Sequence, residues 1–428
     1  MPLLCLCRTR NAIAQLLRLY SIYPVRMRIS IIIPAWNLWE TTAACLHSLA
    51  RYDAGAQVVV VDNGSADATS SELEPLGRKL FGERFLRVLL PENLGFAAGC
   101  NAGARAADGD ALLFLNNDTQ ASPGWLPPLI EALNAPGVGA VGPLLLYPDG
   151  RTQHCGVSFT PLGGVRHLYA DFPGDHPAVR RTHPLQAITG AALLLRRSDF
   201  EAAGGFCEDY ANGYEDLELC FALRQRELSL AVVPASVVFH AESRTPGRHA
   251  RTAANATLFG QRWGESVRPD FHCQVALDGY ETRLNAQGVS CAVLPQAREQ
   301  ALTARWSGRT ASAEEVRAAL NEEPLWQGGH LLLGRLLAGR GAWQEALDAA
   351  ELAVRLLPVP EMIRLLLRAA QGAGQRERAA AIAASLRPDP AALRECARRV
   401  RARRAQAAAW NDAALEHICA DWLRAFGG

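Results

Sequence analysis

Residues 92–119 read ENLGFAAGCNAGARAADGDALLFLNNDT, and this stretch decides the fold class of the chain. Its middle is rich in small residues, which predicts a helix that approaches its neighbours closely. Residues 111–115 (ALLFL) form a continuous apolar run, typical of a strand buried on both faces of a parallel sheet. Asn116, Asn117 and Asp118 then follow the carboxyl end of that strand, where open α/β sheets bind ligands. The same residues are ordinary turn formers, so both interpretations stay open at this point.

The chain before this stretch repeats the pattern of strand and helix. Residues 28–34 (RISIIIP), 57–61 (QVVVV) and 85–90 predict strands, and residues 38–52 predict a helix between the first two. This alternation predicts an α/β fold with a doubly wound, mixed but mainly parallel sheet. Residues 62–67 (DNGSAD) end the second strand in another acidic turn, which favours a nucleotide site. Neither GxGxxG nor GxxxxGK[ST] occurs, so a dinucleotide site and a P-loop are not supported.

The composition is that of a globular protein long enough for two domains. The chain has 428 residues, 49% of them hydrophobic, and its formal net charge of +1 gives no overall attraction to nucleic acid. Its 11 cysteines are scattered without a CxxC pair, which predicts free thiols in a reducing, cytoplasmic compartment. No apolar run is long enough to predict a membrane-spanning helix.

Two arginine-rich segments raise the question of contact with a membrane. Residues 1–26 contain no acid and have an amphipathic centre, but they lack the features of a signal peptide. They are either an extension upstream of a true start at Met27 or a helix on the inner face of the cytoplasmic membrane. Residues 394–404 (RECARRVRARR) are either a solvated helix face or a contact with anionic lipid.

Several motifs together resemble a known family. In chain order they are IIIPAWN, VVVVDNGSAD, NLGFAAGCNAG, LLFLNNDT, TGAALLLRRSDFEAAGGF, GYEDLELC and VVFHAES, spread over residues 28–262. This set resembles the family-2 glycosyltransferases of the GT-A fold, particularly the bacterial rhamnosyl- and galactofuranosyl-transferases of surface polysaccharides. The resemblance implies an inverting enzyme that moves a sugar from a UDP- or dTDP-sugar donor to a glycan or lipid-linked acceptor.

The resemblance also implies a divalent metal, Mg²⁺ or Mn²⁺, which would neutralise the diphosphate leaving group. Asp118 matches the carboxylate that binds this metal, and His240 matches a histidine that completes the coordination in some relatives. Relatives often have an acid where Asn116 stands. This chain therefore offers one carboxylate fewer, which predicts weak binding of the metal.

The nucleotide part of the donor is assigned by the same resemblance. The positions that match nucleotide-sugar-binding residues are Pro34, Trp36, Asn37, Asp62, Asn93, Gly95, Asn101, Asn116 and Asn117. Among these, Asp62 matches the aspartate that reads the uracil or thymine edge, and Trp36 lies where an aromatic group packs near the base. Asp67 in the same loop is interpreted as a partner of a helix N-terminus rather than a ligand.

Asp216 in GYEDLEL matches the general base of the family. The acceptor hydroxyl must lose a proton as it attacks the anomeric carbon, and a carboxylate at a helix start suits this task. Glu215 and Glu218 are the next candidates, although acids are also favoured in a first helical turn for structural reasons. Residues 151–186 predict a loop and hairpin over the site, in which Arg180 and Arg181 are candidate contacts for the acceptor or pyrophosphate.

The last part of the chain predicts an all-α domain like the tetratricopeptide repeats (TPR-like). The positions that fit this repeat are Leu333, Gly334, Leu337, Ala346, Ala350, Ala353 and Pro358. A short array of such repeats is rarely stable alone. We therefore expect this helical domain to pack on the catalytic domain, on a second copy of the chain or on a protein partner. The expected domains are an extension at 1–26, a GT-A domain at 27–265, a connecting segment at 266–311 and a TPR-like domain at 312–428.

Two other functions are alternatives to sugar transfer. A nucleotidyltransferase that makes sugar nucleotides would have a Gly-rich, lysine-bearing loop after the first strand, and residues 34–37 (PAWN) are not such a loop. A non-catalytic scaffold would combine a decayed transferase domain with working helical repeats. Four residues together favour the enzyme over the scaffold: Asp62, Asp118, Asp216 and His240.

Overall fold

A computed structural model describes residues 27–52, 55–241, 251–386 and 389–427, so the segment 1–26 lies outside the described residues. The strands are β1 (Ile29–Ala35), β2 (Gln57–Asn63), β3 (Phe85–Leu90), β4 (Ala111–Leu115), β5 (Thr119–Ala121), β6 (Val138–Leu146), β7 (Thr152–His154), β8 (Val157–Phe159), β9 (Val165–His167), β10 (Ala192–Arg196), β11 (Ser229–His240), β12 (Glu281–Leu284) and β13 (Ser290–Val293). The helices are α1 (Trp39–Arg51), α2 (Thr69–Phe81), α3 (Gly95–Ala106), α4 (Leu126–Leu133), α5 (Pro177–Arg180), α6 (Arg197–Ala202), α7 (Glu215–Gln225), α8 (Thr252–Trp263), α9 (Phe271–Ala276), α10 (Gln296–Trp306), α11 (Ala313–Glu322), α12 (Gln327–Gly339), α13 (Trp343–Leu356), α14 (Pro360–Gly372), α15 (Arg376–Ser385), α16 (Pro390–Ala409) and α17 (Ala413–Phe426).

A mixed sheet forms the core of the first compact unit, whose described residues lie within 27–150, 154–157 and 182–266. The strand order is β3–β2–β1–β4–β10–β6–β11–β5. β1 pairs in parallel with β2 and β4, and β2 pairs in parallel with β3. β10 runs antiparallel to β4 and β6, whereas β11 is parallel to β6 and antiparallel to β5. The predicted mixed, mainly parallel sheet is therefore confirmed.

The stretch 92–119 forms helix α3, which packs on β1 and β2, and strand β4, which lies near the centre of the sheet. Every residue of β4 is buried, as predicted for a strand covered on both faces. The small residues of α3 allow the close approach that the sequence predicts. A Cβ atom on Gly103 would lie 2.4 Å from Ile32 Cγ2 and 2.9 Å from Val61 Cγ2. No side chain larger than hydrogen fits there without displacing β1 or β2.

Arg197 fixes the other end of α3. Its guanidinium donates hydrogen bonds of 2.8 to 2.9 Å to the carbonyl oxygens of Ala104, Ala107 and Gly109. The last carbonyls of a helix have no partner within the helix, and Arg197 satisfies that of Ala104 in the last turn and that of the C-cap residue Ala107. The stretch is thereby anchored at the point where β10 passes into α6.

The second compact unit comprises Arg151–Gln153, Ser158–Arg181 and Val267–Gly428. Helices α11 to α17 confirm the helical C-terminal region that the sequence predicts. Within it, α12, α13, α14 and α15 pack in succession. The predicted repeat positions face the interior, since the buried residues include Leu333, Leu337, Ala346, Ala350 and Ala353. An antiparallel hairpin of β12 and β13 precedes these helices.

Residues 158–181 belong to the second unit although they interrupt the first one in sequence. The backbone N–H of Phe159 donates to Asp270 Oδ1 at 2.7 Å. Arg181 binds Asp278 through two hydrogen bonds of 2.7 and 3.0 Å, so this candidate contact for the acceptor is held within the second unit. The domain limits at 265 and 311 stay predictions.

The described cysteines are all free thiols, as the sequence predicts; they are Cys45, Cys100, Cys155, Cys207, Cys220, Cys273, Cys291, Cys396 and Cys419. Burial raises the pKa of the Cys45 thiol to about 12, which keeps it protonated and unreactive. Among the residues that the structure describes, no helix is both long and apolar enough to cross a membrane.

Candidate active site

A cleft of the first unit opens at the carboxyl ends of β1 and β4 and collects most of the predicted site residues. Those that line it are Pro34, Trp36, Asn93, Gly95, Asn116, Asn117, Asp118 and Asp216. The strand ends bring them together because parallel strands direct their following loops to one edge of the sheet. The cleft wall also includes Asn63, Phe96, Gly190, Asn212 and Glu215.

Asp118 and His240, the two predicted metal ligands, are in contact. Oδ1 of Asp118 lies 2.9 Å from Nε2 of His240, and the two side chains are only 11% and 3% exposed. The pairing of β5 with β11 produces this contact, since it places His240 opposite Thr119. The backbone N–H of Ala241 also donates to the carbonyl oxygen of Asp118 at 3.0 Å.

The donor atoms around His240 fit a divalent cation. Its Nε2 atom lies 3.2 Å from the amide nitrogen of Asn116, in addition to the carboxylate of Asp118. A carboxylate oxygen and an imidazole nitrogen are both ligand types that divalent cations accept, and in Asp118 and His240 they lie side by side, 2.9 Å apart. Within the described ranges no group of three or more Cys, His, Asp or Glu side chains could hold a metal. Diphosphate oxygens and water would have to supply the remaining ligands.

Asp216 is held by the backbone at the start of α7. Its Oδ2 accepts a hydrogen bond of 2.8 Å from the N–H of Gly190, and its Oδ1 accepts one of 2.9 Å from the N–H of Leu217. Both bonds fix the orientation of the carboxylate, and the helix N-terminus favours a negative group there. A proton acceptor on the cleft wall with a fixed orientation can act as a general base.

The two neighbouring acids occupy different places. Glu218 accepts a hydrogen bond of 2.5 Å from the hydroxyl of Tyr210 and lies 3.2 Å from Arg262, and it is not part of the cleft wall. Burial, together with the bond to Glu218, raises the pKa of Tyr210, so the tyrosine keeps the proton that it donates. Glu215 is buried but lines the cleft, and its Oε2 accepts from the N–H of Gly213 at 2.6 Å.

Asp62 and Asn37 are not among the residues that line the cleft. Asp62 is fully buried, with Oδ2 at 2.5 Å from Arg87 and Oδ1 accepting from the N–H of Ser65 at 2.9 Å. Asn37 donates its backbone N–H to Ser65 Oγ at 2.9 Å and accepts from the N–H of Ala66 at 2.8 Å. Both residues therefore shape the loop after β2, and their predicted contact with the nucleotide stays a prediction.

Asn101 also lies away from the cleft wall. Its amide donates to the carbonyl oxygen of Phe206 and to Glu208 Oε1, each at 2.8 Å, and it accepts from the N–H of Phe206 at 3.0 Å. These bonds connect α3 to the turn before α7. Its predicted binding of the nucleotide sugar stays untested.

The interpretation of Asp67 as a partner of a helix N-terminus is confirmed. Its carboxylate accepts bonds of 3.0 Å from the N–H of Trp39 and from the N–H of Thr69, the first residues of α1 and α2. Burial opposes ionisation of this carboxyl, but the hydrogen bonds outweigh it and lower the pKa of Asp67.

Sequence reasoning missed Asn63 and Asn212. Asn63 donates to Asn93 Oδ1 at 3.1 Å and to the carbonyl oxygen of Gly95 at 3.0 Å, and it accepts from the N–H of Leu94 at 2.9 Å. Its place directly after Asp62 was a usable signal. Asn212 accepts a hydrogen bond of 3.1 Å from the N–H of Phe96. The two residues are 116 positions apart, so no local sequence pattern predicts this contact.

Comparison with known proteins agrees with this geometry. The family described as "Glycosyl transferase family 2" matches residues 30–203. Over 213 residues the chain is 32% identical to an N-acetylglucosaminyl-diphospho-decaprenol L-rhamnosyltransferase of Mycobacterium tuberculosis. The aligned region covers 45% of this chain and 68% of that relative. The chain is a family-2 glycosyltransferase. The GT-A fold expected for this family is the fold of its first unit.

Other relatives of this glycosyltransferase differ in length. It is 31% identical over 232 residues to the O-antigen biosynthesis protein RfbC of Myxococcus xanthus, which covers 52% of this chain. The glycosyltransferase spans only 29% and 18% of the lengths of two curated relatives that it matches. Among solved structures, the mannosyltransferase PcManGT of Pyrobaculum calidifontis in complex with GDP-Man and Mn²⁺ is 18% identical, with a TM-score of 0.44 over 77% of this chain and 94% of that chain.

Proposed function

We propose that this glycosyltransferase moves a sugar from a UDP- or dTDP-sugar onto a polysaccharide or lipid-linked glycan of the cell surface, with inversion at the anomeric carbon. The observation that carries the proposal is the shared cleft of Asp118 and Asp216. Asp118 lies beside His240, where a diphosphate and its cation would bind, and Asp216 presents a fixed carboxylate from a helix start. The names of the relatives, an O-antigen protein and a rhamnosyltransferase on a diphospho-decaprenol carrier, support this class of acceptor.

The residues around Asn63 support binding of the donor nucleoside. Asn63 holds Asn93 and Gly95 against the end of β2, and Trp36 directly follows β1, the neighbouring parallel strand, in the same cleft with 37% of its surface exposed. An exposed indole beside a polar loop can stack on a base while the loop bonds the ribose. Asp62 would support this site indirectly, since its bonds to Arg87 and to the N–H of Ser65 hold the end of β2.

Asp118 and His240 would hold Mg²⁺ or Mn²⁺ together with the donor diphosphate, and Asn116 would contribute its amide. When bound, the cation neutralises the charge that develops on the leaving diphosphate. The fit rests on one carboxylate and one imidazole, so the ion and the nucleotide are expected to bind together rather than separately.

Asp216 would accept the proton of the acceptor hydroxyl. The acceptor oxygen forms a bond to the anomeric carbon, the bond from that carbon to the diphosphate oxygen breaks, and the nucleoside diphosphate leaves with the electron pair. Direct attack from the side opposite the leaving group inverts the anomeric configuration. No nucleophilic side chain is required for this single displacement.

The helical second unit would contact another protein or a second copy of the chain. Stacked helical hairpins form extended surfaces, and their end repeats commonly need a cover. Peripheral attachment of arginine-rich α16 to an anionic membrane is a further part of the proposal, since Arg394, Arg398 and Arg401 are exposed.

One screen tests the donor and the metal. Binding of UDP, dTDP and GDP is measured by calorimetry with Mn²⁺, with Mg²⁺ and after removal of metal by EDTA. We expect UDP or dTDP to bind with metal and to bind far more weakly without it. Hydrolysis of UDP- and dTDP-sugars then identifies the donor, and NMR of the glycoside formed when that donor is used with a glycan or lipid-linked acceptor gives the anomeric configuration. Binding of GDP alone would contradict the donor class, and a retained configuration would contradict inversion.

A further inference from the structure

The segment that leads into α7 has an unusual backbone. Asn212, Gly213 and Tyr214 have φ angles of 54°, 128° and 78° in direct succession. Residues other than glycine rarely adopt positive φ, and asparagine tolerates it best. A run of such residues keeps its shape only when the surrounding structure holds it. The residues that hold it are therefore of functional interest, because Glu215 and Asp216 follow immediately.

Asn255 on α8 holds this segment. It is 4% exposed, and its amide donates to the carbonyl oxygens of Ala211 at 3.2 Å and Gly213 at 2.8 Å. Its Oδ1 accepts from the N–H of Ala211 at 3.4 Å. One side chain thus bonds the backbone on both sides of Asn212 and fixes the direction in which Asn212 points.

Asn212 points to the start of α3. Its Oδ1 accepts a hydrogen bond of 3.1 Å from the N–H of Phe96 in the first turn of that helix. The first N–H groups of a helix lack partners within the helix, and the local N-cap residue Leu94 provides no side-chain bond. Asn212 therefore caps α3 from the other side of the cleft. We call residues 93–96 the donor loop. Through Asn212, the donor loop is connected to the segment that precedes Asp216, the proposed base.

We propose that Asn212 is a positioning residue that connects the donor loop to Asp216, so that binding of the nucleotide and alignment of the base are one event. This inference rests on the proposed function. Movement of the donor loop onto a nucleotide would act on Phe96, then on Asn212, and through Gly213 and Tyr214 on the first turn of α7. The N–H of Leu217, in the first turn of α7, holds Oδ1 of Asp216, so a displacement of that turn would carry the carboxylate with it.

Two substitutions separate the hydrogen bond from the backbone geometry. Asn212→Gly removes the acceptor but adopts positive φ easily. Asn212→Asp keeps an acceptor oxygen and tolerates the same backbone. Asn411 also has a positive φ, 56°, but lies in the second unit, so Asn411→Gly is the matched control.

We expect Asn212→Gly to weaken binding of UDP or dTDP with Mn²⁺ by about three- to tenfold, the effect of one lost hydrogen bond. The turnover of the donor sugar should fall further than the affinity, because the segment that leads into α7 and Asp216 also loses its bond to α3. Asn212→Asp should restore most of both quantities, and Asn411→Gly should change neither. If Asn212 served folding alone, Asn212→Gly would lower the amount of active protein, and the loss of turnover would not exceed the loss of nucleotide affinity.

Hydrogen exchange of the Phe96 amide supplies a readout that needs no ligand. Exchange at the start of α3 should be faster in Asn212→Gly than in the wild type and unchanged in Asn212→Asp. Equal exchange and equal turnover of the wild type and Asn212→Gly would overturn the inference while leaving the proposed function intact. If the wild type binds neither UDP nor dTDP, the proposed function fails, and unchanged exchange in Asn212→Gly would overturn the connection as well.

Discussion

The backbone N–H of Gly190 donates a hydrogen bond of 2.8 Å to Oδ2 of Asp216 and thereby joins the segment before β10 to the start of α7. A Cβ atom at position 190 would lie 3.1 Å from the Cβ of Asp216, which is tighter than an ordinary contact. The absence of a side chain at Gly190 is what allows the carboxylate to reach the backbone. Together with the N–H of Leu217, this bond orients both oxygens of Asp216 without help from any other side chain.

Replacement of Asp216 by Asn tests the general base directly. Asparagine keeps the size of the side chain and can still accept from Gly190, but it cannot take up a proton from the acceptor. We expect turnover of the donor identified in the screen to fall by about 10²- to 10⁴-fold, while UDP or dTDP binding stays within about twofold of the wild type. Initial rates and calorimetry measure the two quantities.

Glu218→Gln is the matched control for Asp216→Asn, because Glu218 lies on the same helix but bonds Tyr210 and Arg262 outside the cleft wall. Its rate should fall far less. Near wild-type turnover by Asp216→Asn would place the base elsewhere, and Glu215 would be the remaining α7 carboxylate on the cleft wall.

Replacement of Asp118 by Ala tests the proposed metal site. It removes the single carboxylate beside His240, so the affinity of UDP or dTDP measured with Mn²⁺ should fall more than about tenfold. Treatment of the wild type with EDTA should cause a similar loss. Asp110 precedes the same strand at its opposite end and is 54% exposed, so Asp110→Ala should leave this affinity unchanged. Retained metal-dependent binding by Asp118→Ala would contradict the assignment.

Replacement of Gly103 by Ala tests the close packing of α3. The new methyl group would collide with Ile32 and Val61, and overpacking of this kind costs about 1–3 kcal/mol in the free energy of unfolding. Gly260 also lies in a helix, but nothing lies within 4 Å of the Cβ that it lacks. Gly260→Ala should therefore be neutral or stabilise by up to about 1 kcal/mol. Urea unfolding of both variants would refute the packing argument if their midpoints shifted equally.

The stability of the second unit should depend on pH through its buried histidines. Burial lowers the pKa values of His176, His272 and His330. The unfolded chain therefore binds more protons once the pH falls below about 6.5, the usual pKa of histidine. The stability that these groups contribute is complete above this pH and is lost progressively below it. The urea midpoint of the second unit's unfolding transition should thus decrease between pH 7.5 and pH 5.5.

His330→Gln tests the contribution of one of these groups. His330 bonds the carbonyl oxygen of Pro324 at 2.9 Å, and glutamine can donate to the same oxygen without taking up a proton. The decrease in the urea midpoint should be smaller in this variant. The side chain of His417 is 72% exposed, so His417→Gln should leave the decrease as in the wild type. An identical pH dependence of His330→Gln and the wild type would contradict the assignment.

The sequence determined the elements of the sheet and the edge at which the site lies. Continuous apolar runs such as ALLFL have one stable environment, a strand covered on both faces, and the residues after such strands gather at one edge. The places of Asp118 and Asp216 in the cleft followed from this rule together with the motifs. Local periodicity likewise sufficed for the helical C-terminal region, because helix hairpins are formed by residues close in sequence.

Tertiary structure alone decided which distant residues touch. The contact of Asp118 with His240 depends on the pairing of β5 with β11, and the contact of Asn212 with Phe96 depends on the packing of α8 against the segment before α7. It also decided that Asp62, Asn37 and Asn101 bond the protein rather than line the cleft. A sequence motif fixes which functional group stands at a strand end, but the direction of that group is set by whichever donors and acceptors the folded chain brings within about 3 Å of it.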